Sequence, residues 1–201
     1  MTAIVRLCLP RHRMELEQHF AALGAEDLRR RFCHTITPEG VARWLDSLIP
    51  IGVSSFGIFN PGLELVAVGQ FGASGRDLDV GLSVLSDYRR KGLAATLLHR
   101  AASFAPARAL TAVIVHCLAD NTPMLSLARR IGMTVEISQG EADGRLALRA
   151  GTALDFWNEI AYDQAGIADS VAKSWQVTAQ KAIRPTDQTN DVHLIARRTA
   201  S

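Results

Sequence analysis

Two hydrophobic rhythms alternate along the chain, and together they lay out most of its elements. Ala3 to Leu9 contains the β-type run Ile4-Val5-Arg6-Leu7 and stops at Pro10, which predicts a first strand. Helical spacing follows. Leu16, Phe20 and Leu23 share a face within Met14 to Leu23, which ends at Gly24, and a second helix covers Ala25 to Phe32. A third opens at Thr37-Pro38-Glu39, with Thr37 as N-cap and Pro38 in the first position, and turns Val41, Trp44, Leu45 and Leu48 inward. In the second helix Glu26 and Asp27 come early and Arg29, Arg30 and Arg31 late, a polarity that suits the helix dipole and predicts a solvated basic end.

The rhythm then shortens. Ser54 to Phe59 and Leu63 to Phe71 flank Asn60-Pro61-Gly62 and read as a hairpin, with a further turn over Gly72 to Asp77. Val80-Gly81-Leu82-Ser83-Val84 reads as a buried strand. Leu93, Leu97, Leu98, Ala101, Ala102 and Ala105 form one face of the next helix. Thr111 to Cys117 is a strand, Asn121 opens another helix, and Val135 to Ser138 with Arg145 to Arg149 make a last hairpin around a turn at Gln139 to Gly144. From Ala153 to about Ala182 the pattern is helical, with Phe156, Trp157, Ile160, Ile167, Val171 and Trp175 as apolar anchors and a kink or interruption near Gly166. Ile183 to Ser201 is polar and reads as a flexible end.

Composition adds limits more than content. At 201 residues, 48% hydrophobic and 21% charged, the chain fits one domain with an appendage. A net charge of +2 makes no general case for nucleic acid or a membrane surface as partner. No apolar stretch approaches a membrane span and no signal-peptide pattern opens the chain, so the expectation is a cytoplasmic protein. Cys8, Cys33 and Cys117 are an odd set without metal-ligand spacing, which predicts free thiols, and the six histidines lack metal spacing too.

The chemistry concentrates between the buried strand and the helix that follows it. Asp87-Tyr88-Arg89-Arg90-Lys91-Gly92-Leu93-Ala94 places a basic, glycine-containing turn at a helix N-terminus. There the first N–H groups lack intrahelical partners and the dipole end is positive. Gly92 and Ala94 keep the backbone approachable, so a phosphate or pyrophosphate is the expected guest. The spacing is neither that of a Walker loop nor Gly-x-Gly-x-x-Gly.

What stands here is Arg89-x-x-Gly92-x-Ala94, which resembles the Arg/Gln-x-x-Gly-x-Gly/Ala signature of the GNAT superfamily of N-acetyltransferases. A second block, Asn121-x-x-Met124-x-x-Leu127-Ala128-x-x-Ile131-Gly132-Met133, resembles that family's Asn-x-x-Ala-x-x-Leu-Tyr-x-x-x-Gly-Phe at the expected distance. The two blocks and their elements span roughly a third of the chain, too much for chance. The resemblance implies an α/β (α+β) fold: a mixed, mostly antiparallel sheet splayed at the cofactor site and flanked by helices. It assigns residues 1–150 to the transferase domain, 151–182 to a helical extension and 183–201 to the tail. It implies acetyl-coenzyme A as co-substrate, its pyrophosphate on Arg89, Arg90, Lys91, Gly92, Leu93 and Ala94. The pantetheine arm would run along the strand at Leu82 and Val84, with Asn121 contacting it as well as capping its helix. The helices before the second strand would wall the acceptor.

The implied reaction is acyl transfer to an amine, which needs proton removal, alignment with the thioester and an oxyanion donor. The donor would be a backbone N–H near Val84. The carboxylate in the place of the family's general base is Asp79, with a strand-edge residue, solvated or paired with Arg76, as the plain alternative; Glu64 is the second choice. The family's general-acid tyrosine is replaced by Ala128. That departure motivates a rival function, a coenzyme A-binding sensor or scaffold that does not catalyse. His116 is isolated in sequence, and Ser83 has no recognisable His/Asp partner, which argues against a nucleophilic triad. The acceptor, the acyl length and the role of the extension, which could pack on the domain, close the acceptor site or dimerise, are open at this level.

Overall fold

In chain order the computed structural model, which describes residues 3–149 and 151–183, begins with β1 (Val5–Cys8) and three helices. These are α1 (Arg13–Ala21), α2 (Ala25–Phe32) and α3 (Pro38–Ser47). A meander of β2 (Ser54–Phe59), β3 (Leu65–Ser74) and β4 (Asp77–Val84) leads to α4 (Leu93–Phe104). Then come β5 (Ala112–Leu118), α5 (Thr122–Arg130), β6 (Thr134–Ser138), β7 (Glu141–Ala147) and α6 (Ala153–Ile183). The strands make one seven-stranded sheet in the order β1-β2-β3-β4-β5-β7-β6. All its pairs are antiparallel except β4 with β5. The expected mixed, mostly antiparallel sheet is therefore what forms.

Alternation along the strands sorts the two faces. Leu78 and Val80 of β4 share a face with Val113 and Val115 of β5, all buried, and α4 lays Leu97, Leu98 and Ala101 on them. Phe104 continues that face, standing edge-on to Phe56 and Phe71, which stack at 4.6 Å. Leu125 of α5 joins the buried cluster of Cys117 and Ala142. On the opposite face lie Gln70, Gly81 and Ser83, covered by α1 and α2, while Trp44 of α3 packs edge-on against Phe20 and Phe32. Past α2 that face carries Asp79, His116, Asp143, Glu136 and Arg145 and is open.

Four local expectations change. The β6–β7 turn is only Gln139-Gly140, with φ of 52° and 87°, and β7 begins at Glu141. Of the small residues that resemble a turn, Gly144 lies where an added Cβ would stand 3.2 Å from Met133 Sδ and 3.5 Å from Ala128 Cβ, and Ala142 is buried with Cys117 and Leu125. Likewise β3 runs on to Ser74, so the turn before β4 is Gly75-Arg76. Gly166 does not interrupt α6, which is continuous from Ala153 to Ile183. It is buried where the helix crosses β1, and an added Cβ there would stand 3.4 Å from Arg6 Cα and 3.5 Å from Val5 O. Arg6 Nε donates to Asp169 at 2.7 Å, and Lys173 Nζ to the Phe59 carbonyl at 2.7 Å. The extension thus packs on the domain through a small residue and ion pairs, leaving Trp157, Ile160, Ile167, Val171 and Trp175, the expected anchors, exposed. The Phe156 side chain and the tail at 184–201 lie outside the described residues.

Candidate active site

The parallel pair at the centre of the sheet comes apart. β4 and β5 share register only from Asp77 with Ala112 to Asp79 with Ile114, whereas β4 keeps its antiparallel ladder to β3 as far as Val84 with Ala67. Beyond Asp79 and Ile114 the two strands diverge into a wedge. Leu82 and Val84 line its β4 edge, where backbone groups that would have bonded to β5 are available to an extended guest.

At the open end of the wedge lies the basic turn. Arg90 and Gly92 adopt left-handed φ of 59° and 81°, which turns the chain sharply into α4. Gly92 is the N-cap and supplies no side-chain cap, and the first i→i−4 bond is Thr96 N–H to Gly92 O at 3.0 Å. The N–H groups of Leu93, Ala94 and Ala95 precede that bond and form an anion cradle. The cations around it differ in role. Arg89 donates from Nε to the Val84 carbonyl at 3.1 Å and pairs with Asp27 of α2 at 2.7 Å, bracing the turn against the strand. Lys91 Nζ donates to the Asp87 carbonyl at 2.8 Å and lies over the Tyr88 ring, and Arg90 is exposed. Asn121 caps α5, its side chain accepting from Met124 N–H at 3.3 Å.

At the closed end, on the open sheet face, Asp79 points toward His116, not Arg76. His116 Nε2 lies 3.5 Å from Asp79 Oδ1, and His116 Nδ1 lies 2.6 Å from Asp143 Oδ1. These side chains come from β4, β5 and β7, and their shared face follows from register: Asp79 pairs with Ile114, and His116 with Asp143. They line a groove of about 500 Å³ with Ser74, Asp77, Glu136 and Arg145. Arg145 grips Asp77 with two bonds, of 2.6 and 3.0 Å, and holds its carboxyl below the usual range. His116 was an isolated histidine in the sequence; only the antiparallel register of β5 and β7 gives it a partner.

Between these two ends the helical layer adds two groups. Arg31 does not join the solvated basic end of α2. It turns inward beside Phe32 and Trp44, with its carbon Cζ 5.1 and 5.2 Å from their ring centres, donates to Gln70 Oε1 at 2.8 Å, and lies on the bare backbone of Gly81. Burial pulls it down to about 10. It sets a guanidinium where β4 leaves β5. His19, buried in α1, has Nδ1 2.8 Å from the Leu65 carbonyl and Nε2 2.8 Å from Ser83 Oγ. The carbonyl accepts, so the ring proton is on Nδ1 and Ser83 donates to Nε2. Ser83 therefore does have a histidine partner. Both groups are buried and a backbone carbonyl takes the third position, so the pair fastens α1 across β3 and β4. Burial pushes His19 down to about 4.

The remaining candidates lie elsewhere. Glu64 is tied into the β2–β3 turn by Asn60 Nδ2 at 2.8 Å and the Tyr88 hydroxyl at 3.4 Å, beside the basic turn and away from the groove. Ala128 is buried under Gly144 and offers no proton. Among the described residues no group of three or more His, Cys, Asp or Glu could hold a metal ion, and no helix is long and apolar enough to cross a membrane.

Comparison with known proteins follows this geometry. The model of the acetyltransferase (GNAT) family matches residues 10–133. Among solved structures, the GNAT domain of PAT from S. lividans aligns with a TM-score of 0.64 at 18% identity, covering 72% of this chain and 89% of that one. A phosphinothricin acetyltransferase from Sinorhizobium meliloti in complex with AcCoA aligns at 0.60 and 14%, covering 76% and 92%. Ribosomal-protein-alanine N-acetyltransferase from Brucella melitensis aligns at 0.57 and 16%, covering 72% and 99%. None of the curated proteins matches the chain.

Proposed function

The chain belongs to the GNAT acetyltransferase family, and from that premise we propose that it transfers the acetyl group of acetyl-CoA to a primary amine of a small molecule, peptide or protein held on the open sheet face. One observation carries the reading. The wedge between β4 and β5 has an anion cradle at its open end and a carboxylate at its closed end. A diphosphate-bearing thioester laid along β4 has its charged end met by the N–H groups of Leu93 and Ala94 and by Arg90 and Lys91. Its arm follows Leu82 and Val84, and Asn121 stands on the α5 side.

The chain's own residues then have three tasks. An alkyl ammonium has a pKa of about 10.4, so it must lose a proton before it attacks. Asp79 at the closed end is the acceptor-facing carboxylate. A backbone N–H near Val84 donates to the oxyanion, and the guanidinium of Arg31 over Gly81 adds positive potential on the same stretch. The amine nitrogen forms a bond to the carbonyl carbon, the C–S bond breaks with its electron pair going to sulfur, and the second N–H proton goes to that thiolate. The products are amide, free thiol and the first proton. With Ala128 in the general-acid position, that second proton or a solvent proton replaces a tyrosine.

The buried Ala128 also sustains the alternative of a coenzyme A-binding module without turnover. Calorimetric titration with acetyl-CoA and with coenzyme A, followed by an amine screen with thiol release as readout, tests both. Micromolar binding of both ligands together with thiol release fits the transferase. Binding without release from any amine leaves the module, and absence of binding removes both.

A further inference from the structure

We infer that His116 is the general base of this site, held in its working tautomer by Asp143, and that with Asp79 it forms a two-acceptor clamp for an alkylammonium; the inference rests on the transferase reading. The groups come from three strands, and geometry fixes their roles. An ionised carboxylate only accepts, so the 2.6 Å contact to Asp143 puts a proton on His116 Nδ1. In the neutral ring the lone pair is then on Nε2, and it faces Asp79 Oδ1 at 3.5 Å. Two acceptors face each other across a gap longer than a good hydrogen bond. A donor with two N–H bonds resolves this: one nitrogen can stand about 2.8 Å from both atoms, giving one hydrogen to Asp79 and one to His116. A primary ammonium is such a donor.

Proton removal follows from the same arrangement. The ammonium hydrogen aimed at Nε2 moves to the ring, leaving a neutral amine with its lone pair free for the thioester carbon. The ring becomes an imidazolium between two carboxylates, which stabilise the charge it has taken. A carboxylate is in general a far weaker base than an imidazole, so with His116 beside it Asp79 anchors the ammonium. The charged and titratable groups around His116 are Asp77 and Asp79 of β4, Asp143 and Arg145 of β7 and Glu136 of β6, with the Cys33 thiol following α2. The carboxylates Asp79, Asp143 and Glu136 attract a cation, whereas Asp77 and Arg145 are bonded to each other. His116 and Asp143 are exposed at the groove and Asp79 is half-buried there, so the amine reaches them from solvent on the face away from α4. The acceptor is an unhindered alkylammonium, from a free polyamine or a lysine side chain.

The test combines ring-nitrogen NMR of histidine-labelled full-length protein with pH-dependent thiol release from acetyl-CoA. The two probes are 1,5-diaminopentane and a lysine-containing basic peptide. His116→Gln identifies the signal by its loss. The wild-type neutral ring is expected as the Nδ1–H tautomer, perturbed by the diamine, and Asp143→Asn shifts it toward Nε2–H. In turnover, kcat/KM is expected to rise with pH. His116→Gln removes that limb and about 100-fold of rate, and Asp143→Asn costs about 10-fold. Turnover of the diamine alone assigns a free amine and of the peptide alone a protein lysine; either supports the clamp. An Nε2–H tautomer in the wild type, or an unchanged pH profile in His116→Gln, overturns it. Silence with both amines while acetyl-CoA still binds overturns the alkylammonium assignment and leaves the transferase reading standing. Failure to bind acetyl-CoA overturns that reading instead, and the tautomer measurement still decides the role of Asp143.

Discussion

The two ends of the wedge are built by different means. The proposed cofactor end consists of consecutive residues, Arg89 to Ala94, and its chemistry is mostly backbone: a helix start without a side-chain cap and two left-handed residues. The proposed acceptor end consists of single side chains from β4, β5, β7 and β6 that meet only because their register brings them to one face. The first is a local device that any chain with this turn would carry. The second is a property of the whole sheet. The contrast teaches where a sequence declares its function: contiguous backbone sites are visible in it, and register-built sites are not.

Breaking the backbone end is expected to have the largest effect. Gly92→Asp places a carboxylate in the anion cradle at φ of 81°, and acetyl-CoA affinity measured by calorimetry should fall by about 10³-fold or more. The melting temperature should also fall, though modestly, because φ of 81° strains any residue but glycine even where an added Cβ meets nothing within 4 Å. A retained affinity would mean that side chains, not backbone, hold the phosphates. Next comes the polar brace between the two ends. His19 is held down to about 4 by burial and ionises near 6.5 when unfolded, so the unfolded chain binds its proton first. The stability this contributes is present above about pH 6.5 and drains away as pH falls to about 4, a loss of about 3 kcal/mol read by denaturant unfolding at several pH values. In His19→Phe that slope should flatten.

On the side-chain end the effect should be smaller and confined to turnover. Asp79→Asn is expected to lower kcat/KM by about 10²-fold while acetyl-CoA affinity stays within about twofold of wild type. A matching fall in cofactor affinity would show that the two ends are one site rather than two. The mildest change is Asn121→Ala, which removes the cap on α5 and should cost about 1 kcal/mol in stability by thermal unfolding. A much larger loss of acetyl-CoA affinity than that stability change implies would assign Asn121 to the cofactor directly.

The same contrast explains what could be read from residues alone. The order of strands and helices was legible, because apolar periodicity and caps such as Thr37 and Asn121 act locally. The sharp basic turn at Arg89 to Ala94, proposed to hold the cofactor, was legible for the same reason. Asp79 could be singled out as a carboxylate opening an apolar strand, but its neighbours could not. His116 and Asp143 are 27 positions apart, and their pairing depends on a β6–β7 turn two residues long that the small Ala142 and Gly144 disguised. Arg31 misled for a related reason. Its two preceding arginines pair outward with Glu26, and only packing turns the third inward. Gly166 looked like a break because glycine weakens a lone helix; here it lets the helix approach a strand.

The strict alternation of β6 and β7 carries a consequence for how this molecule can change. Glu136, Asp143 and Arg145 face outward to the groove, while Val135, Ala142 and Gly144 face α5. Under the proposed function, substituting Glu136 or Arg145 alters which amine is welcomed and disturbs no packed residue, since exposed positions usually shift stability by no more than about 0.5 kcal/mol. The inward set and the basic turn can meanwhile stay fixed. Diversification is therefore cheap on one surface of one hairpin: the same donor-handling engine can be refitted to new acceptors by exchanging a few charges, without rebuilding the fold that drives it.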